Sequence, residues 1–568
     1  MKGSILAWYL SLKLRLLLDA LTNIMRASAL PVALLGTTAL ATEPVVKVLN
    51  GSYSGIYLPQ YQQDIFLGIP YAQDTGGQNR FLVPQTLNET WQDVRPATSY
   101  SHACPSYDPN DAIYGMSENC LSINIVRPHG IPEDQNLPVM LWIHGGSYQV
   151  GTTGRPDYNL TFIVEKSIQI GKPIIGASIN YRKGGWGNQY SIEIQGSGNA
   201  NLALRDMRKG LSWISENIAA FGGNKDSVTI WGESSGSFAV GQLLLSYGGK
   251  TDGLFHRSIQ ESGSATTAWY NGTDWYQPIY NDLVDNTNCT DAPDTLACLR
   301  TLEYDKIFPF LNNSNVAGPG WYPTVDGDVI PNFPTILLEE GRFAHVPHLY
   351  GSTSDEGTDN VIPGIDTDEE LRYHLLYNTG FQFPNSTVSR ILDLYPDDPT
   401  QGVPINTGTE RFAEYGQQYK RAAAIIGDVF YHAPRLSDAQ YYAQHSPTYI
   451  YRFNTRPWLK STGTLALPHK GVQHFSEVAF VFNNPDFVGP YPEYQALSEQ
   501  ISAQWINFAW CGHPNGEGLP HWPLYNESQA GQNLVLQSES QGGNYVEEDT
   551  YRLEGREYLT KWARRRHV

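Results

Sequence analysis

Ile230-Trp-Gly-Glu-Ser-Ser-Gly-Ser-Phe238 places three serines within four positions, at Ser234, Ser235 and Ser237. A serine hydroxyl is a weak nucleophile unless a base removes its proton, so the stretch takes its meaning from what surrounds it. Gly232-Glu-Ser-Ser-Gly236 matches G-x-S-x-G in one frame only, because Glu233, Ser235, Ser237 and Ala239 stand where the other frames need glycine. Ser234 is therefore the candidate nucleophile. The spacing has a mechanical reason: small residues on either side let a strand turn sharply into a helix with the serine at the bend. Val228–Trp231 reads as the entering strand and Ser235 onward (SGSFAVGQLLLSY) as the leaving helix, whose N-terminus favours nearby negative charge. A glycine-rich turn with a capping serine is the plainer alternative for the same pattern.

Outward from this stretch the same arrangement recurs. Val139–Ile143 precedes His144-Gly-Gly, Ile174–Ile179 precedes Asn180-Tyr-Arg-Lys-Gly-Gly, and His348–Tyr350 precedes Gly351-Ser-Thr-Ser-Asp-Glu. Short, continuous apolar runs of this kind suit buried parallel strands. Between them Asn199–Ala220 carries Leu204, Met207, Leu211 and Ile214 at helical spacing and stops at Gly222-Gly223. Strand and helix alternate, which predicts an α/β fold with ligands at the carboxyl ends of the strands. The second half is richer in turns and aromatics and shows no clean boundary.

Composition removes other classes. The net charge is −19 and no basic stripe interrupts it, so a nucleic-acid partner is not expected. Arg564-Arg565-Arg566 reads as a solvated tail. Residues 5–24 are apolar but broken by Lys13, Arg15 and Asp19, which argues against stable membrane insertion. Met25-Arg26, an apolar run and Ala39-Leu40-Ala41 form a secretory signal with an A-x-A cleavage site. We read Met25 as the true start and Ala41 as the last residue removed; a single signal with a long leading segment is the alternative. Residues 42–568 are then one catalytic domain. N-x-[ST] acceptors at Asn50, Asn88, Asn159, Asn271, Asn288, Asn312, Asn385 and Asn526 agree with a secreted, extracellular glycoprotein. Cys104, Cys120, Cys289 and Cys298 fall as two short-range pairs, compatible with disulfides in an oxidising compartment. Cys511 is left over and is expected to be a buried free thiol.

Pro138-Val-Met-Leu-Trp-Ile-His-Gly-Gly-Ser-Tyr148 supplies the glycine-rich turn after a strand that an ester hydrolase needs for oxyanion-binding N–H groups. Together with Gly232–Gly236 it resembles the type-B carboxylesterase and lipase family, the cholinesterase-like α/β hydrolases, in a secreted fungal-type form. Phe66–Ala72, Glu118–Leu121, Asn180–Arg182, Glu216–Gly223 and Asp326-Gly327 are similar to family landmarks in the right order, over residues 45 to 555. The resemblance implies an α/β-hydrolase fold: a central, mostly parallel, twisted sheet flanked by helices, with long insertions. It assigns the acid to Glu356, in Asp355-Glu-Gly-Thr358, and the base to His474 rather than His469. It assigns the oxyanion hole to the backbone N–H groups of Gly146, Ser147 and Ser235. Ser147 stands where the family usually has a third glycine and Ser235 where it usually has alanine. If position 147 needs a positive φ the serine strains it; it could instead add a donor or narrow the acyl pocket.

By the same resemblance Cys104–Cys120 and Cys289–Cys298 match the family's two disulfides. The loop between the first pair is short, so a large moving lid is not expected. Asn110 aligns with the choline-stacking tryptophan of cholinesterases, which is missing here. Tyr148 and Trp186 are candidates either for the gorge wall or for core. The reading is a serine carboxylesterase acting on a small-molecule or lipid ester through an acyl-enzyme on Ser234, with no metal or organic cofactor. A triacylglycerol or sterol-ester lipase, and a non-catalytic adhesion protein that keeps the fold, are the alternatives.

Overall fold

The computed structural model describes residues 43–565, apart from 107, 268, 312–319 and 382. The expected signal peptide, with its start at Met25 and cleavage after Ala41, lies outside the described residues. The central sheet has eleven strands: β1 (Ile56–Leu58), β2 (Gln63–Pro70), β3 (Ser122–Pro128), β4 (Leu137–Ile143), β5 (Ile175–Ile179), β6 (Gly223–Glu233), β7 (Arg257–Glu261), β8 (His348–Thr353), β9 (Thr448–Phe453), β10 (Gln532–Leu536) and β11 (Tyr545–Glu548). Their spatial order is β11-β10-β9-β8-β7-β6-β4-β5-β3-β2-β1. The seven strands from β10 to β5 pair in parallel. Antiparallel strands close both edges. This is the mostly parallel sheet that the alternation of strand and helix predicts.

Parallel strands need crossover connections, and these cover both faces. The alternation along β4 shows the two layers. Leu137, Val139, Leu141 and Ile143 join a core with Leu204, Met207, Leu211 and Ile214 of α2 (Leu202–Asn217) and with α3 (Ser235–Leu245). Met140 and Trp142 point the other way, to α1 (Leu160–Gln169) and α4 (Pro492–Cys511). Leu141 is fully buried, so Leu141→Ala is expected to cost about 2–5 kcal/mol, read as a lowered midpoint in urea unfolding.

Helix α2 forms where the spacing predicts it and passes through a short 3-10 turn to Gly222, whose φ of 79° makes it the C-cap. Strand β6 begins at Gly223, five residues before the apolar run, because Leu137 pairs with Gly223 at its start. Both disulfides are formed, Cys104–Cys120 and Cys289–Cys298. Cys511, expected to be buried, is an exposed free thiol. The reason is its place: it is the last residue of α4, beside the Gly512 C-cap at the helix's outer end.

Candidate active site

Four strand ends build the site. Strand β6 ends at Glu233 and α3 starts at Ser235, which leaves Ser234 alone to make the turn, at φ 56° and ψ −126°. A non-glycine residue in such a region costs about 1–3 kcal/mol and persists only when its surroundings fix it. They do so here. The Ser234 N–H donates to Glu261 O at 2.9 Å, at the end of β7. A Cβ on Gly236 would lie 2.1 Å from Ile143 O, and one on Gly232 would lie 2.6 Å from the Gly236 carbonyl carbon. The glycines of the motif are thus required by close approach of β4, β6 and α3. Gly236→Ala is expected to destabilise the fold by about 3 kcal/mol or more, seen as a drop in thermal midpoint and soluble yield. Ser237 belongs to the helix, its hydroxyl donating to Gly263 O at 2.7 Å.

The turn after β4 abuts this elbow. Gly145 is so close that a Cβ there would lie 3.0 Å from Ser234 Cβ, and Gly146 takes φ 106° where a Cβ would lie 2.3 Å from Val150 O. Ser147 and Tyr148 also have positive φ, 56° and 59°. Position 147 is therefore one where glycine is the relaxed choice, and its serine carries strain. Ser235 Oγ accepts the Tyr148 N–H at 3.1 Å, which ties the turn to the first residue of α3. Alanine at 235 could not make this bond. Tyr148 itself is buried and donates to Gln242 Oε1. Trp186 is equally buried, its Nε1 donating to Glu118 Oε1 at 3.2 Å. Both rings are core rather than gorge wall. The N–H groups of Gly146, Ser147 and Ser235 find no protein acceptor among the described residues.

Strand β8 leads through Ser354 and Asp355 into a 3-10 turn that begins at Glu356. Glu356 is wholly buried, with Oε1 accepting from Ser262 Oγ at 2.6 Å and from the Thr353 N–H at 2.8 Å. Its other oxygen lies 2.6 Å from His474 Nδ1. Asp355 fastens the two loops together: it accepts the Val472 and Ile405 N–H groups at 2.7 and 2.9 Å. His474 Nε2 faces the end of β6, 3.2 Å from Glu233 Oε1. No hydrogen bond joins it to Ser234 Oγ in this structure. Such contacts often close only with substrate bound. Tyr431 packs on the imidazole, ring centroids 4.8 Å apart. A cleft of about 440 Å³ opens beside His474, with Trp458, Phe475 and Phe487 in its wall.

The electrostatics of this centre were not legible in the motif. Glu233, Glu356 and Glu477 are buried around one imidazole, and Glu261 is buried with them, acting on Glu477 and Glu233. Burial pushes Glu233 up to about 8 and Glu477 up to about 7. Burial opposes charge on Glu356 too, but His474 and the Ser262 hydroxyl hold it below the usual carboxylate range. Ser262 Oγ has one proton and two carboxyl neighbours, Glu356 at 2.6 Å and Glu477 at 3.1 Å. In its acid form Glu477 donates to Ser262 while Ser262 donates to Glu356. Glu261 is kept by the indole N–H groups of Trp231 and Trp505, at 2.6 and 2.7 Å, and burial raises it well above the usual range.

His474 feels opposing effects. Burial alone would lower it, but the Glu356 carboxylate, and Glu233 in the fraction that is ionised, raise it above the usual histidine range. These neighbours stabilise the imidazolium, and the neutral base grows in as pH rises. Removing the Glu233 charge lowers the imidazole's pKa. Glu233→Gln is therefore expected to move the acidic limb of kcat/KM for ester hydrolysis down by about 1 pH unit. A limb that stays in place, or moves up, refutes that coupling.

Comparison with known proteins agrees with this geometry. The profile described as "Carboxylesterase family" matches residues 42–553. Among curated proteins the chain is 31% identical to "Lipase 4" of Diutina rugosa, over 92% of this chain and 96% of that one. It is 32% identical to "Inactive carboxylesterase-like protein VdtD" of Byssochlamys spectabilis, over 81% and 82%. Among solved structures it resembles Aspergillus niger EstA with a TM-score of 0.78 and 26% identity, covering 93% of this chain and 99% of that one. Relatives described as secreted, such as "Secreted lipase 1" of Botryotinia fuckeliana at 31% identity, are among the matches, over 86% of this chain and 87% of theirs. No helix among the described residues is long and apolar enough to cross a membrane. The chain belongs to the carboxylesterase family and is an α/β-hydrolase-fold carboxylic ester hydrolase.

Proposed function

We propose that Ser234, His474 and Glu356 are the catalytic triad, and that the N–H groups of Gly146, Ser147 and Ser235 form the oxyanion hole. The observation that carries this reading is the 2.6 Å bond from buried Glu356 to His474 Nδ1, with the opposite nitrogen facing the end of the strand that delivers Ser234. Bonded at Nδ1, the neutral imidazole keeps its proton there and presents Nε2 as the base. It takes the Ser234 proton as Oγ attacks the ester carbonyl, and the imidazolium so formed lies beside Glu356. The developing oxyanion meets N–H groups that have no acceptor to give up. His474 then protonates the leaving alcohol, and water hydrolyses the acyl-enzyme by the same route. The buried carboxyls stabilise positive charge on His474, the charge that forms in both steps.

The substrate reading is a carboxylic ester with a compact acyl group. The loop between Cys104 and Cys120 is anchored at two described points: its Asp111 is buried, and a Cβ on Gly154 would lie 2.7 Å from the Tyr114 ring. Asn110, where cholinesterases carry their tryptophan, is an exposed amide. Both features support an ordinary carboxylesterase. The names of relatives such as "Lipase 4" support a triacylglycerol lipase as the second reading. Hydrolysis of p-nitrophenyl acetate, butyrate and palmitate separates them: acetate or butyrate is expected to have the highest kcat/KM, and a palmitate preference would establish the lipase. No turnover of any of the three by the folded protein would favour the non-catalytic reading.

The proposal extends to a secreted glycoprotein. The side chains of Asn88, Asn288, Asn385 and Asn526 are exposed acceptors, whereas Asn271 Nδ2 is buried. Endoglycosidase treatment followed by peptide mapping tests this at each site.

A further inference from the structure

Lys183 follows Asn180-Tyr-Arg182 at the end of β5, and its side chain is 0% exposed. A buried ammonium is costly unless it is paired and fully hydrogen-bonded. Its partner is Asp111 of the Cys104–Cys120 loop, also 0% exposed, with Oδ2 3.0 Å from Nζ. The same Oδ2 accepts Ser106 Oγ at 2.6 Å and the Gly151 N–H at 2.8 Å. Lys183 Nζ in turn donates to Gly151 O. Both polar groups of one glycine are thus taken by the two halves of one ion pair.

Gly151 is the far end of the turn that begins at His144. It takes φ 100°, and a Cβ on it would lie 2.7 Å from both Gly145 O and His144 Nδ1. Within the turn, the N–H groups of Gln149 and Val150 donate to Gly146 O at 2.8 and 2.9 Å. The residue after Lys183 holds the turn as well, its N–H donating to Tyr148 O at 2.7 Å. Residues 145–151 are therefore a closed loop in which Gly146, Ser147, Tyr148 and Gly151 take positive φ, pressed against Ser234 on one side and pinned by Lys183 and Asp111 on the other. Strained backbone stays in place only when its surroundings over-determine it.

We propose that Lys183 and Asp111 are positioning residues for ester hydrolysis: the buried pair clamps Gly151 and so fixes the oxyanion turn, and it fastens the Cys104–Cys120 loop to the same point. The proposal rests on the assignment of Gly146 and Ser147 as oxyanion donors. Burial lowers Lys183 to about 8, and although burial works against the Asp111 charge, Lys183 and Ser106 keep its carboxyl below the usual range; the two are charged near neutrality. A turn held this way loses little order when the oxyanion forms, which is where preorganised donors act. Substrate binding before bond formation draws less on them, so the pair bears on kcat more than on KM.

The test uses the neutral double variant Lys183→Met/Asp111→Asn, which leaves no unpaired charge in the interior, beside Lys183→Met, wild type and Ser234→Ala. Each is assayed for p-nitrophenyl acetate hydrolysis and for binding of an aryl trifluoromethyl ketone, whose hydrated or serine-bound form mimics the tetrahedral intermediate. The folded double variant is expected to lose about 10–100-fold in kcat with KM within about twofold, and to weaken the ketone by the same factor. A folded variant with wild-type kcat and ketone affinity overturns the proposal, since a purely structural pair would lower thermal stability alone. If neither variant folds, Ser106→Ala, which removes one donor to Asp111 and leaves the ion pair, decides it: a parallel loss of about threefold or more in kcat and ketone affinity is expected, and no change in either refutes it. Wild-type activity that survives in Ser234→Ala would instead defeat the triad assignment on which the proposal stands.

Discussion

Ser234→Ala is expected to lower kcat for p-nitrophenyl butyrate by about 10⁶-fold, with the thermal midpoint unchanged or slightly raised. The size follows from the chemistry: without Oγ no acyl-enzyme forms, and what remains is orientation and oxyanion stabilisation of direct attack by water. The sign of the stability effect follows from the backbone. Ser234 sits at φ 56° and ψ −126° because the close contacts around Gly232, Gly236 and Gly145 leave the chain no other path. Alanine at 234 keeps that path and removes only the hydroxyl. Loss of turnover with intact folding, measured by kinetics and calorimetry on the same preparation, therefore separates a nucleophile from a structural serine. The neighbouring variants sharpen the comparison. Ser237→Ala removes a hydrogen bond to Gly263 O and is expected to change kcat by no more than about threefold while costing about 1 kcal/mol of stability.

Glu356→Gln is expected to cost about 10⁴-fold in kcat, with KM little changed. Glu356 accepts from His474, Ser262 and Thr353 with both oxygens. An amide keeps one acceptor and replaces the other with a donor. If the oxygen stays with Ser262 and Thr353, the new N–H group faces Nδ1, which must then become an acceptor and send its proton to Nε2. That tautomer cannot take the Ser234 proton. The imidazolium formed during attack also loses the anion beside it. Glu356→Asp keeps the charge but shortens the reach, and is expected to fall between the two. A kcat within about tenfold of wild type in Glu356→Gln would mean that another of the buried carboxyls, Glu233 first, serves the histidine.

How much of this was legible from the chain differs residue by residue. Ser234 was, because only one frame of the serine cluster carries both glycines, and the structure shows what each glycine avoids. The helix from Leu202 and the parallel strands were, because their apolar spacing is local. Glu356 and His474 were not legible in residue spacing. They come together from the turn after β8 and the long connection that follows β9, far apart in sequence, and only the resemblance to a family singled them out from the other carboxylates and histidines. The buried carboxyls around His474 were missed. Glu233 gave a signal, as the residue joined to Ser234, but nothing in a sequence tells a buried glutamate from a solvated one. The aromatic residues Tyr148 and Trp186 were left open by the sequence: large rings next to site motifs suit a gorge wall as well as a core, and here their polar atoms are satisfied inside the protein. Ser147 is the instructive departure. The structure gives it the positive φ that glycine would favour, so Ser147→Gly should relax the turn and raise stability by about 0.5–1 kcal/mol, measured by urea unfolding.

The central claim is that one serine of the cluster is acylated during turnover. The most direct measurement is to treat the protein with a fluorophosphonate, follow the loss of p-nitrophenyl butyrate hydrolysis, and map the adduct by peptide mass spectrometry. The account predicts one equivalent bound, on Ser234, with activity lost in proportion. An adduct on Ser235 or Ser237, or full inactivation with Ser234 unmodified, would contradict it.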